Sequence, residues 1–181
     1  MKGFERSNPL LSLCGLNCGL CPMKLSGHCG GCGFGNQSCR LAKCSLAHGG
    51  VEYCFQCEAY PCENYEHVDD YDSFITHRHQ KRDLEKAKRM GIPAYNRDQQ
   101  EKAEILGLLL SDYNDGRRKS FYCAAVNLLD LHEIREVLER IREDAERSGF
   151  GRKERSAHAV KLFHELAEKN QIDLNLRKKK P

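Results

Sequence analysis

The chain is 181 residues long, with 29 Lys or Arg against 26 Asp or Glu, 11 Cys and no Trp; at that length one domain, or one with a small appendage, is expected. An apolar fraction of 40% excludes a disordered chain, while 30% charged residues and a mean hydropathy of −0.67 point to a small core under a wet surface. The longest aliphatic stretch, Ile105–Leu110 with Gly107 inside it, falls far below the ~20 residues of a membrane span, and Leu10–Leu16 is too short for a secretory signal.

These exclusions predict a cytoplasmic protein with no membrane partner. In that reducing compartment thiols are metal ligands or catalysts far more often than structural disulfides.

Residues 1–65 are predicted as an irregular metal-binding region. Ten cysteines (Cys14, Cys18, Cys21, Cys29, Cys32, Cys39, Cys44, Cys54, Cys57 and Cys62) lie within 49 residues, among many glycines and with little helical or strand periodicity. Such a segment is expected to bury little apolar surface and to need cross-links in place of a core. Three C-x2-C pairs stand out, Cys18/Cys21, Cys29/Cys32 and Cys54/Cys57, with a looser C-x4-C pair at Cys39/Cys44. Two residues between thiolates let a tight turn bring both sulfurs to one ion, and Zn²⁺ takes four such ligands in a tetrahedron. One natural arrangement joins Cys29, Cys32, Cys39 and Cys44 in one site and Cys18, Cys21, Cys54 and Cys57 in another, with Cys14 and Cys62 alongside. Zincs bridged by shared sulfurs, or a third site completed by His28 or His48, are alternatives. The expectation is two or three zinc ions.

The grouping C-x3-C-x2-C-P at Cys14–Pro22 also suits an iron–sulfur cluster, the alternative cofactor. It is shared with radical-SAM enzymes as well, but their barrel of alternating strands and helices has no counterpart in a chain whose remainder reads as helices.

The segments Cys14-Gly15-Leu16-Asn17-Cys18-Gly19-Leu20-Cys21-Pro22, Cys29-Gly30-Gly31-Cys32 and Gly50–Cys62 with its Cys54-Phe55-Gln56-Cys57 and Tyr60-Pro61-Cys62 resemble a cysteine-rich family of bacteria and archaea described only as a domain of unknown function and regarded as zinc-binding. The resemblance covers about residues 10–65, and Asp115–Cys123 is similar in kind. It implies that the ten clustered cysteines act together as ligands, and it brings no catalytic residue.

Residues 66–175 are predicted as a helical body of about four helices against which the zinc-knuckle region packs, so the fold class is mainly α. A first helix is expected over Tyr71–Met90, charged nearly all round, after a solvated Asp69-Asp70-x-Asp72 run. A second is expected over Arg97–Tyr113, with Ile105, Leu106, Leu108, Leu109 and Leu110. A third starts near Ser120 as N-cap and presents Phe121, Ala125, Leu128 and Leu129. A fourth opens on a capping box of Asp130 and Glu133, carries Leu131, Ile134, Leu138, Ile141 and Ala145, and ends at Ser148-Gly149. The last runs from about Ser156 to Lys169, and residues 176–181 read as a frayed basic tail.

Outside the cysteine region, Arg117, Arg118, Lys119 and Ser120 before a helix form a candidate anion site. Cys123 in the next turn is the one candidate reactive thiol, set against its packing as a small apolar residue. His77 and His79 do not share a helix face and read as exposed. No paired-carboxylate, P-loop or Rossmann pattern is present.

Residues 1–62 carry five Lys/Arg and three Asp/Glu, so ten thiolates and two Zn²⁺ would leave that segment at −4, which repels phosphate. The reading that follows is a zinc-binding, non-enzymatic interaction or regulatory module with a protein partner. An iron–sulfur or thiol-dependent enzyme or redox protein is the alternative. A nucleic-acid adaptor working through the basic segments is a disfavoured third.

Overall fold

The computed structural model describes residues 2–34 and 38–179. Eight α-helices and no strand are present among them: α1 (Pro22–Leu25), α2 (Arg40–Ala47), α3 (Glu63–Glu66), α4 (Gln80–Met90), α5 (Ile92–Asp112), α6 (Lys119–Leu128), α7 (Leu131–Ser148) and α8 (Arg152–Lys169). Short 3-10 turns cover Cys18–Leu20 and Cys54–Gln56. The protein is mainly helical, as composition and periodicity predict. No helix among the described residues is long and apolar enough to cross a membrane.

The chain divides into two compact units, residues 1–100 with 176–181, and residues 101–175. The change of composition falls near residue 65, whereas the change of contacts falls inside α5, between Gln100 and Glu101.

The first unit has an apolar core of its own, contrary to the expectation that the cysteine-rich segment buries little. Leu11, Tyr53, Tyr65, Leu84, Ala87 and Tyr95 form one buried cluster, and Phe4, Leu13, Leu41 and Ala42 form a second. The segment recruits α4 and the start of α5 as its missing hydrophobic wall. α4 is therefore not charged all round: Gln80, Asp83, Leu84 and Ala87 recur at i, i+3, i+4, i+7 and are buried. A polar clasp fixes the packing. The Tyr95 hydroxyl donates to Asn17 at 2.8 Å, and Asn17 Nδ2 donates to Asp83 at 2.8 Å.

α4 starts at Gln80 rather than near Tyr71. Residues ahead of it are held by side-chain bonds that compete with a helix: Asp72 Oδ1 accepts the His77 N–H at 2.7 Å, while the His77 ring contacts Ser73 Oγ at 2.9 Å and the Val68 carbonyl at 2.8 Å. His77 and His79 are accordingly half-buried rather than exposed. α5 starts five residues before the predicted Arg97, with Pro93 in its first turn, where a missing N–H costs nothing.

Asp72 corrects the reading of the acidic run, and Arg177 that of the tail. The Asp72 side chain is fully buried and meets Arg177, whose backbone N–H and Nη2 donate to its two oxygens at 2.7 and 3.1 Å. Burial pushes this carboxyl up, but the bonds from Arg177 and the His77 N–H outweigh it and hold the group below the usual carboxylate range. Lys180 and Pro181 lie outside the described residues.

In the second unit Tyr122–Leu128 of α6 are all buried. The helix begins at Lys119 with Arg118 as N-cap, so Ser120 sits inside the first turn. α7 and α8 pack on each other, antiparallel as their cross-links require: Asp144 meets His158 at 2.8 Å and Glu133 accepts from Asn170 at 2.8 Å. Glu133 therefore does not complete a capping box. Asp130 is the N-cap of α7 but makes no side-chain capping bond. Ile134, Leu138 and Ile141 face inward as predicted, and Gly149 at φ 61° ends the helix. α8 starts at Arg152, four residues early, because Glu154 reaches back to the Gly151 N–H at 2.8 Å.

Candidate metal centre

Tight turns deliver the thiols. Cys14 follows the Ser12 turn, where the Leu16 N–H bonds Ser12 Oγ at 2.7 Å and the Ser12 hydroxyl lies 3.3 Å from Cys14 Sγ. The next residue must be glycine: at φ 95° a Cβ on Gly15 would lie 2.3 Å from the Gln80 carbonyl oxygen and 2.9 Å from Leu84 Cβ. Cys18 opens a 3-10 turn that closes with the Cys21 N–H on its carbonyl at 3.2 Å, and Cys21 in turn caps α1. In the second pair the Gly31 N–H donates to Cys29 Sγ at 3.3 Å. Cys54–Cys57 repeats the turn, with the Cys57 N–H on the Cys54 carbonyl at 3.1 Å, and Cys62 caps α3.

The ten thiols face two separate spaces. Cys44, Cys54, Cys57 and Cys62 line a void of about 20 Å³, whose wall also includes His48, Tyr60 and Leu13. That is room for about one water or ion. Cys14, Cys18, Cys21, Cys29, Cys32 and Cys39 line a cavity of about 400 Å³ whose remaining wall is largely apolar, including Phe4, Met23, Phe74 and Ile75.

This grouping differs from the one drawn on spacing. Cys39 and Cys44 part company because Cys39 caps α2 and Cys44 lies inside it; five residues of helix turn through about 140°, so the two sulfurs leave on different sides. Cys54/Cys57 joins Cys44 and Cys62 instead of Cys18/Cys21. His48 keeps its Nδ1 on the Cys44 carbonyl at 2.8 Å and 3.6 Å from Cys44 Sγ, at the rim of the small void. His28 is exposed and lines neither space.

None of the eleven cysteines is in a disulfide. As the side chains stand, no three His, Cys, Asp or Glu groups among the described residues are set to hold a metal ion. Closing either set on an ion therefore needs rotation of cysteine side chains on their turns.

Burial and neighbouring thiols both act on the charge of these groups. Burial is the main cause that pushes Cys14 up to about 11, and the charges of Cys32 and Cys39 add to it. Burial likewise pushes Cys18 up to about 12, against a lowering bond from the Cys32 N–H. Cys54 lies above the ordinary thiol range, first by burial and then by the charges of Cys14, Cys62 and Cys44. Mutual repulsion between neighbouring thiolates is what a divalent cation removes, and a coordinated thiol is deprotonated outright.

In the sequence Arg6 is one of only five basic residues of the cysteine-rich region, with Lys2, Lys24, Arg40 and Lys43, and nothing in the local pattern sets it apart. Its side chain is fully buried, with Nη2 on the Leu11 carbonyl at 2.8 Å and 3.5 Å from Glu52. The guanidinium lies 4.9 Å from the centre of the Tyr53 ring.

The loop before α6 uses its own side chains: Asn114 Oδ1 accepts from the Gly116 and Arg118 N–H groups at 2.9 and 3.1 Å, Asp115 Oδ1 from the Arg117 N–H at 3.0 Å, and Asp115 pairs with Arg118 at 3.5 Å. Arg117 and Ser120 are exposed, and Lys119 is half-buried. Cys123 is 3% exposed.

Comparison with known protein families, with curated proteins and with solved structures finds no match. The motif resemblance over residues 10–65 thus stands on its own residues.

Proposed function

We propose that this chain is a zinc-binding interaction or regulatory module whose cysteine-rich region holds metal in two centres. One ion is held by Cys44, Cys54, Cys57 and Cys62, and up to two more by Cys14, Cys18, Cys21, Cys29, Cys32 and Cys39. The observation that carries the reading is the sorting of all ten clustered thiols, and not Cys123, onto two spaces, four around a void of about one ion's size and six around a larger one. Four thiolates match the tetrahedral preference of Zn²⁺. Six exceed one ion's needs and suit two ions sharing sulfurs. Bound metal would supply folding free energy to a unit whose apolar clusters are small.

A second reading has its own support. The six-thiol cavity of about 400 Å³ has room for a polynuclear iron–sulfur cluster, which would make that centre redox-active.

The region's negative charge with zinc bound favours a protein partner over nucleic acid. Phe34 and Phe74, 65% and 66% exposed, give the same unit apolar surface of the kind a protein covers.

The test is metal content after purification without oxygen, for the wild type, C57S and C18S. Two or three zincs are expected in the wild type, with one lost in C57S and the loss in C18S confined to the larger set. Less than one zinc per chain after refolding with excess Zn²⁺ rejects the module, and brown protein containing iron moves the larger centre to the second reading.

A further inference from the structure

A guanidinium that is fully buried carries five N–H donors that must find acceptors, and each one left unmade is costly. Arg6 uses one nitrogen well, donating Nη2 to the Leu11 carbonyl at 2.8 Å, while its one acidic partner among the described residues, Glu52, stands at 3.5 Å on the same nitrogen. Nε and Nη1 are buried and make no hydrogen bond. The side chain is also placed between the two thiol sets. The Cβ and Cγ of Arg6 pass 3.2 Å from where a Cβ on Gly33 would be, next to Cys32, and its guanidinium lies over Tyr53, next to Cys54. Cys32 lines the six-thiol cavity and Cys54 the four-thiol void.

Two or three Zn²⁺ among ten thiolates leave several negative charges inside one small unit. A buried cation beside one ligand of each set, with donors unspent, is the group such a pair of centres needs.

We propose that Arg6 is the shared counter-charge of the two metal centres, a positioning residue whose unspent N–H groups turn to the sulfurs of Cys32 and Cys54 when metal is bound. This rests on the two-centre reading above. N–H donors at a thiolate stabilise its charge and fix its direction, and losing such an outer partner typically costs about 10–100-fold in metal affinity.

The experiment uses the full chain loaded with Zn²⁺, and in parallel with Co²⁺, as wild type, R6Q, R6K and E52Q. Zinc release to excess chromogenic chelator is timed, and thiolate-to-cobalt charge-transfer bands are recorded. R6Q is expected to bind the same number of ions but to release zinc from both centres at least tenfold faster, with shifted cobalt bands. R6K, which keeps the charge without the fork, should fall between. E52Q keeps an acceptor oxygen but removes the carboxylate competing for Arg6, so it should release zinc more slowly than wild type; a purely structural ion pair would give the opposite sign. Should R6Q fold poorly, R6K and E52Q carry the decision. Wild-type rates and bands in R6Q, or faster release in E52Q, overturn the role of Arg6 while leaving two centres standing. A wild type that takes up neither metal overturns both.

Discussion

Removing residues 176–181 should destabilise the first unit by about 3 kcal/mol, although a terminal segment of lysines looks dispensable. Arg177 contributes its backbone N–H to Asp72 Oδ2 at 2.7 Å, Nη2 to Asp72 Oδ1 at 3.1 Å and Nη2 to the Asp69 carbonyl at 2.6 Å, and it accepts the Asp72 N–H at 2.9 Å. What remains to the buried carboxylate is the His77 N–H at 2.7 Å, Thr76 Oγ1 at 3.4 Å and Arg78 at 3.7 Å. Hydrogen bonds to charged groups contribute roughly 1.5–3 kcal/mol each, and leaving a buried charge without its partner costs roughly 3–5 kcal/mol. The bonds share one carboxylate and Arg78 stays, so the lower end applies.

Urea unfolding followed by circular dichroism, with amide exchange to assign the loss to the first unit, measures the effect. Neutralising the carboxylate with D72N in the truncated chain should cost less than D72N alone, because the partner is already gone. The pH dependence has a definite sign. Asp72 is held below its unfolded value of ~3.9, so its contribution is complete above that pH and is lost as pH falls through the folded value. Wild type and truncated chain should therefore differ by a constant amount from pH 7 to pH 5 and converge below about pH 4. A truncated chain within about 0.5 kcal/mol of wild type at pH 7 would refute the reasoning.

Gly15→Ala should destabilise the first unit by more than about 2 kcal/mol, since the new Cβ meets the Gln80 carbonyl in a backbone conformation alanine disfavours; because the same turn aims Cys14, a metal titration should show weaker binding too, and a neutral substitution would dissociate the turn from the site. Cys123, at 3% exposure, should resist iodoacetamide until the chain unfolds, read by mass spectrometry of the Cys123 peptide, while phosphate should raise the melting temperature no more than matched ionic strength does; rapid labelling slowed by phosphate would restore the thiol-enzyme reading.

The sequence by itself determined what depends on local pattern. Aliphatic residues at helical spacing placed the inner faces of α5, α6 and α7, Ser148-Gly149 stopped α7, and the x2 spacings marked the turns that present thiols in pairs. Helix starts depart from the apolar pattern where a cap lies outside the apolar stripe, as with Glu154 on Gly151, or where side-chain bonds replace helix, as at Asp72 and His77. Which cysteines share a space was decided only by tertiary structure, because grouping thiols depends on where separate turns meet in space. Cys39 and Cys44 are neighbours in the chain, yet α2 turns them apart, while Cys62 joins Cys44 across 18 positions. Arg6 and Arg177 show the same limit. A cation in a sequence reads as solvated, and only the fold reveals that Arg177 meets a buried carboxylate at Asp72 and that Arg6 is itself buried beside the half-buried thiol sets, where a charge without a partner is costly.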